Sequence, residues 1–301
     1  MVMDRLVELI KQKRNPCIVG IDPEWSKLPE CYKRTAAPAD AIGQWAMDVL
    51  DAVADVVPAV KPQMAFFEVY GWEGLRVHQQ VVRYAQEKGL LVIDDSKRND
   101  IGNTAKAYAY AHLAKNGPID ADFMTVSPFL GTDSIQPFLE TASAEGKGVF
   151  VLVKTSNPSS GELSEAVNPK GETICDWLAA YVHEQGMRCV GTSGYSSIGA
   201  VVGATFPQKA QQLRQVMRNN FFLVPGFGAQ GGRPEDVASC FNEDGLGAVI
   251  NSSRGVLYKH GEGSGFDHTR ASYQDIVRKQ AQEMQRAVYQ ELKKACPEMC
   301  Y

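Results

Sequence analysis

Eight short apolar segments, each followed by a helix-length segment, predict an α/β fold: a (β/α)8 TIM barrel in a single domain spanning 1–301. Three observations support this. The segments are apolar on both faces, as strands of a parallel sheet covered on both sides must be. The strand–helix alternation repeats eight times within about 250 residues, the usual size of such a barrel. No Ser/Gly linker or shift of composition divides the chain. The chain starts with an amphipathic stretch, Met1 to Asn15, in which Leu6, Val7, Leu9 and Ile10 alternate with charges. It has neither the unbroken apolar run nor the small-residue cleavage site of a signal peptide. The expected strands, all rich in Val, Ile, Leu or Phe, are Cys17–Ile21, Ala59–Lys61, Leu90–Asp95, Phe123–Val126, Val149–Val153, Ile198–Gly203, Phe221–Val224 and Gly247–Asn251. The expected helices between them are Ala39–Val57, Gly71–Lys88, Ile101–Lys115, Ser134–Ala144, Thr173–Gln185, Gln208–Arg218 and Pro234–Phe241, and a long one, Tyr273–Lys294, follows. The longest irregular stretch, Thr155–Gly171, is rich in Asn, Pro, Ser and Gly and follows the fifth strand. In a barrel it lies over the C-terminal face, where substrate loops belong.

Composition narrows the function. Hydrophobic residues at 44% and charged residues at 22% are ordinary for a folded domain and exclude global disorder. The net charge of −4 leaves no basic footprint for nucleic acid. No apolar run approaches the ~18 residues of a membrane span. Seven scattered cysteines form no C-x-x-C pair, and the five histidines show no ligand spacing, so no metal site is expected. Reduced thiols and a cytoplasmic location are the expectation.

The densest functional signal is Leu90–Thr104, L-L-V-I-D-D-S-K-R-N-D-I-G-N-T. Four apolar residues lead directly into charges, which puts those charges at the C-terminal end of a buried strand. Side chains alternate along a strand, so Asp95 and Lys97 project one way and Asp94 the other. If the first pair faces the barrel axis, Asp100 on the following loop can return towards it. An ammonium flanked by carboxylates inside a cavity favours a functional site over a solvated loop.

Other strands end similarly. Asp22 follows the first strand, Lys61 ends the second, and the fifth runs into Lys154-Thr155-Ser156-Asn157. After the seventh strand comes P-G-F-G-A-Q-G-G (225–232), which contains G-x-G-x-x-G. A dinucleotide fingerprint should open its domain and meet an acid at the end of the next strand; here that strand ends in Asn251-Ser-Ser-Arg254. A barrel instead builds a phosphate site from the loops after strands seven and eight. Glycines there let backbone N–H groups approach the phosphate, with Gln230 and Arg254 as side-chain donors. The expected ligand is a phosphorylated small molecule with polar groups at its other end.

The run Asp95-x-Lys97-x-x-Asp100-Ile101-Gly-Asn-Thr104 resembles the active-site signature of the orotidine 5′-phosphate decarboxylases. Asp22, Lys61, Ser156, the glycine loop and S-S-R-G (252–255) follow in that family's order, so the resemblance covers nearly the whole chain. The length and T-V-S-P-F-L-G-T-D-S (125–134) resemble its longer branch. It implies conversion of orotidine 5′-phosphate to UMP, the last step of de novo pyrimidine synthesis, without metal or organic cofactor. Lys97 would protonate C6, held in a tetrad by Asp95, Lys61 and an Asp100 from the neighbouring subunit of a homodimer. Asp22, Lys61 and Thr104 would bind ribose hydroxyls, Thr104 also from the neighbour. Ser156 would bond the pyrimidine, and Gln230 and Arg254 the phosphate. Shorter members place an aromatic hydroxyl on the phosphate where this chain has Phe227.

Three other readings compete with this one. Metal-dependent sugar-phosphate decarboxylases and synthases share D-x-K-x-x-D but carry a metal-binding glutamate where Lys61 stands. A Schiff-base aldolase on this barrel needs a neutral lysine, which neighbouring carboxylates oppose. A non-enzymatic phosphate-ligand binding protein would need neither Lys97 nor the carboxylates.

Overall fold

All eight expected strands form, and they pair in chain order into a closed parallel barrel. They are β1 (Cys17–Ile21), β2 (Ala59–Pro62), β3 (Leu91–Arg98), β4 (Phe123–Val126), β5 (Gly148–Lys154), β6 (Ser196–Val202), β7 (Asn220–Val224) and β8 (Ala248–Ser252), and β8 returns to pair with β1. The computed structural model describes residues 1–301 apart from 35, 36, 228–232 and 262. Around the barrel run α1 (Val2–Lys13), α2 (Glu30–Lys33), α3 (Pro38–Val53), α4 (Ala65–Glu68), α5 (Gly71–Glu87), α6 (Gly102–Leu113) and α7 (Thr132–Glu145). They continue with α8 (Gly161–Ser164), α9 (Ile174–Gly186), α10 (Pro207–Val216), α11 (Pro234–Ala238), α12 (Arg254–Leu257) and α13 (Arg270–Ala295).

Period-two alternation divides the apolar residues between two cores. Ile18, Leu91, Ile93, Phe123, Phe150 and Phe221 fill the barrel interior, and the buried stripe of α1 (Met3, Leu6, Ile10) packs into the same cluster. The amphipathic start of the chain is therefore the floor of the barrel. The alternate residues, among them Val19, Val60, Val92, Met124 and Ile250, face outward into the larger cluster beneath the helices. A filled interior leaves room for a ligand only above these layers, at the C-terminal strand ends.

Three departures from expectation have physical reasons. The helix expected to reach Val57 stops at Val53, ahead of Pro58, which disfavours helix in the residue before it. Lys13 Nζ donates to the carbonyls of Ala54 and Val57, 2.6 Å each, so the freed acceptors stay satisfied. In the helix expected to reach Phe241, Ser239 Oγ donates to the Asp236 carbonyl at 2.9 Å just past its last turn. The stretch 155–171 is not irregular: it holds a 3-10 turn (Pro158–Ser160) and α8, and a bridge pairs Val167 with Thr173. Buried Lys154 fastens this loop, donating to Ser164 Oγ and pairing with Glu165, each at 2.7 Å.

Candidate active site

The strand that carries the charges is irregular where the charges begin. β3 runs on past Asp95 to Arg98, and its register with β4 shifts between Asp94 and Arg98. Lys97 takes a left-handed backbone, φ 46°, which a side-chain-bearing residue adopts only when its surroundings hold it there. Thr125 on β4 does part of that holding, because its Oγ1 accepts from the Lys97 N–H at 2.9 Å. A bulge re-aims a side chain, and this one keeps Lys97 beside Asp95 at the cavity.

Asp95 is the hub. Its Oδ2 accepts from Lys61 Nζ at 2.6 Å and from Gln63 Nε2 at 2.9 Å. Its Oδ1 accepts from Lys97 Nζ at 2.5 Å and from Thr125 Oγ1 at 3.0 Å. Burial alone would push this carboxyl up, but the Lys61 and Lys97 ammonium groups outweigh it and hold Asp95 at about 2. Burial likewise pulls Lys61 down, yet Asp95 and Asp22 more than compensate, so its pKa rises. Both partners are therefore ionised at neutral pH, and Lys97, 43% exposed, is the ammonium that reaches into open space. Sequence reasoning assigns Gln63 and Thr125 no role. Gln63, two residues beyond Lys61 on the same face, is within reach of the period of two.

A cavity of about 430 Å³ opens above this row, with Asp22, Ser156 and Arg254 also on its wall. Asp22 Oδ1 and Asn251 Oδ1 are buried acceptors without a partner among the described residues, an expensive state unless a donor arrives with the ligand. A sugar diol is such a donor. Arg254, at the start of α12, lines the cavity together with Phe227. Ser156 enters from the β5 loop across Gly203, where a Cβ would fall 2.9 Å from both Cα and Cβ of Ser156. Gly203→Ala should displace Ser156 and raise KM severalfold without unfolding the barrel; steady-state kinetics beside a thermal melt check this.

The structure brings Asp22, Lys61, Asp95, Lys97, Ser156 and Arg254 together in one cavity. It does not bring Asp100 and Thr104 there. Asp100 Oδ1 accepts from the next residue's N–H, Ile101, at 2.8 Å, and Thr104 is exposed on α6. The return of Asp100 towards its own Lys97, left open by the sequence, is not made. Gln230 lies outside the described residues. Exposed apolar side chains, Val69, Trp72, Ile101, Tyr110, Phe129 and Leu130, occupy the segments after β2, β3 and β4, the same side as Asp100 and Thr104.

The eight-stranded barrel carries a Lys–Asp–Lys row at its C-terminal face, in a cavity that Arg254 also lines, and the chain belongs to the Orotidine 5′-phosphate decarboxylase / HUMPS family, whose model matches residues 15–263. It is similar to the orotidine 5′-phosphate decarboxylase of Rhodopirellula baltica, 44% identical over 252 residues, covering 80% of this chain and 83% of that one. The enzyme of the same name from Caldicellulosiruptor bescii is 39% identical over 274 residues, covering 85% and 89%. Among solved structures, Leishmania donovani OMP decarboxylase superposes with a TM-score of 0.74 at 28% identity, covering 97% of this chain and 98% of that one.

Proposed function

We propose that this protein decarboxylates orotidine 5′-phosphate to UMP, the closing step of pyrimidine nucleotide synthesis. The observation that carries the reading is the Lys61–Asp95–Lys97 row, an exposed ammonium held against a fixed carboxylate in a cavity that Arg254 also lines. In the reaction the bond from C6 to the carboxylate carbon breaks, its electron pair stays on C6, and CO2 leaves. Lys97 Nζ then delivers a proton to C6 and is reprotonated from solvent. No ring carbonyl delocalises the pair, so stabilisation is electrostatic and preorganised. An ammonium ~4 Å from the developing charge gains about 4 kcal/mol at an effective dielectric of 20, and Asp95 disfavours the substrate carboxylate by a similar amount. The remainder of the barrier falls to binding energy from the distant phosphate and to loop closure.

Asp22 and Lys61 take the ribose hydroxyls, Ser156 the pyrimidine, and Gln230 with Arg254 the phosphate. No metal or organic cofactor enters, since the Lys61 ammonium already neutralises the carboxylate a cation would need. The working unit is a homodimer: the exposed apolar side chains after β2 to β4 are covered by a second copy, which brings its Asp100 and Thr104 to this cavity. The whole of 1–301 acts as one catalytic domain in the cytoplasm.

The test is loss of orotidine absorbance when the purified protein meets orotidine 5′-phosphate. The rate should survive dialysis against EDTA, and a loss restored by magnesium would turn the assignment towards metal-dependent sugar-phosphate enzymes. Arg254→Ala should raise KM and also lower kcat, because an arginine grips phosphate with two parallel hydrogen bonds and part of that energy drives closure. Unchanged kinetics in this variant remove Arg254 from the site.

A further inference from the structure

The residue on the opposite face from Asp95 has its own buried partners, and catalysis as described above does not use them. Asp94 is fully buried and points outward from β3 into the helical layer. His112 of α6 puts Nδ1 against its Oδ2, and His78 of α5 puts Nε2 3.1 Å from its Oδ1, off the line of a hydrogen bond. Both imidazoles are buried, and His78 packs edge-on against Phe67 of α4, with ring centroids 5.1 Å apart. Burial pushes the Asp94 carboxyl up, but the two imidazoles outweigh it and hold the group below the usual carboxylate range. A buried carboxylate with two buried imidazoles on it is costly to assemble, and a parallel strand could be anchored to its helices by apolar residues alone.

We propose that Asp94, His78 and His112 form a clamp that positions the catalytic row, and that Asp94 and His112 are positioning residues for the decarboxylation inferred above, on which this reading rests. The path of action is short. Asp94 and Asp95 share a peptide plane, so fixing the Asp94 side chain outward fixes the direction in which Asp95 presents its carboxylate to two ammonium groups. Lys97, with its left-handed backbone, follows two residues later. His112 ties the same point to α6, the helix that begins just beyond Asp100 and carries Thr104. One buried contact thereby sets the spacing between the groups this chain gives its own cavity and those it gives its partner's.

The experiment compares wild type with Asp94→Asn, His112→Leu and His112→Asn for kcat, KM, UMP affinity by calorimetry and melting temperature. The side-chain amide of asparagine can donate near the place of Nδ1, whereas leucine cannot donate at all. The expected result is a kcat at least tenfold lower in His112→Leu, with UMP affinity within threefold of wild type and a kcat within threefold of wild type in His112→Asn. Asp94→Asn should behave as His112→Leu does, and if it fails to fold, the histidine pair decides alone. Wild-type kcat in His112→Leu overturns the proposal, as does a loss that His112→Asn does not relieve, or one in which kcat, UMP affinity and melting temperature fall together. A wild type that does not turn over orotidine 5′-phosphate overturns the functional reading and this one with it; an active wild type with an indifferent His112 overturns this one alone.

Discussion

Replacing Lys97 by alanine should abolish decarboxylation and leave the nucleotide site in place. A positioned general acid contributes about 10²–10⁴ in rate, and the ammonium also stabilises the carbanion, so kcat should fall at least about 10³-fold. The fold should tolerate the change. Asp95 keeps Lys61, Gln63 and Thr125 as donors, so no buried carboxylate is orphaned. The Lys97 side chain is itself partly exposed, and the strained backbone at φ 46° is no worse for alanine than for lysine. The proposed phosphate and ribose contacts come from other strands, so calorimetry should return a UMP affinity close to that of wild type. Turnover near the wild-type rate in this variant would sink the proton-donor role.

The second large effect comes from mixing two dead proteins. Asp100 Oδ1 accepts from the next residue's N–H and is not on the wall of its own cavity, in keeping with the proposal that it serves the site of a second copy. In the proposed two-fold dimer each subunit would give Lys97 to one site and Asp100 to the other. Lys97→Ala and Asp100→Ala homodimers should each be nearly inactive. In a mixed dimer one site collects both lesions and the other none. Random reassortment makes about half of the dimers mixed, so activity should recover to about a quarter of wild type by the symmetry of an isologous pair. The mixture is assayed after demonstrated subunit exchange, for example by native mass spectrometry. If Asp100 served its own chain, every site would keep one lesion and nothing would recover.

Period and burial make most of this legible from residues alone. Eight short both-faces-apolar runs alternating with helix-length segments read as covered strands, and each forms within about three residues of its expected bounds. The alternation that separates Asp95 and Lys97 from Asp94 holds through the bulge. The bulge itself is not legible, since nothing in Asp94-Asp-Ser-Lys97 announces a left-handed lysine; it is imposed by the register with β4 and by the hydroxyl of Thr125. The histidines on Asp94 are hidden for a related reason. His78 and His112 stand 34 positions apart in sequence and meet only because α5 and α6 pack on either side of one strand. Gln63 stands in plain view beside Lys61, but an amide carries no charge to mark it.

The helix that floors the barrel has a consequence for how this protein tolerates change. Met3, Leu6 and Ile10 close over Phe123, Phe150 and Phe221, so the apolar packing of the barrel interior lies at one end and the charged row at the other. This is a division of labour. The lower layers hold the molecule together firmly enough for the upper rim to keep a left-handed lysine, paired buried charges and two acceptors waiting for a ligand. Lesions should sort by height along the barrel axis. Phe150→Ala, in the lower layers, should cost about 3–5 kcal/mol of stability and shrink the yield of folded protein, while each folded molecule works at its normal rate. A lesion at the rim should do the reverse, giving an abundant, well-folded protein that has lost its speed. Yield and rate per folded molecule, measured separately, would then serve as two coordinates that place an unfamiliar variant along the axis.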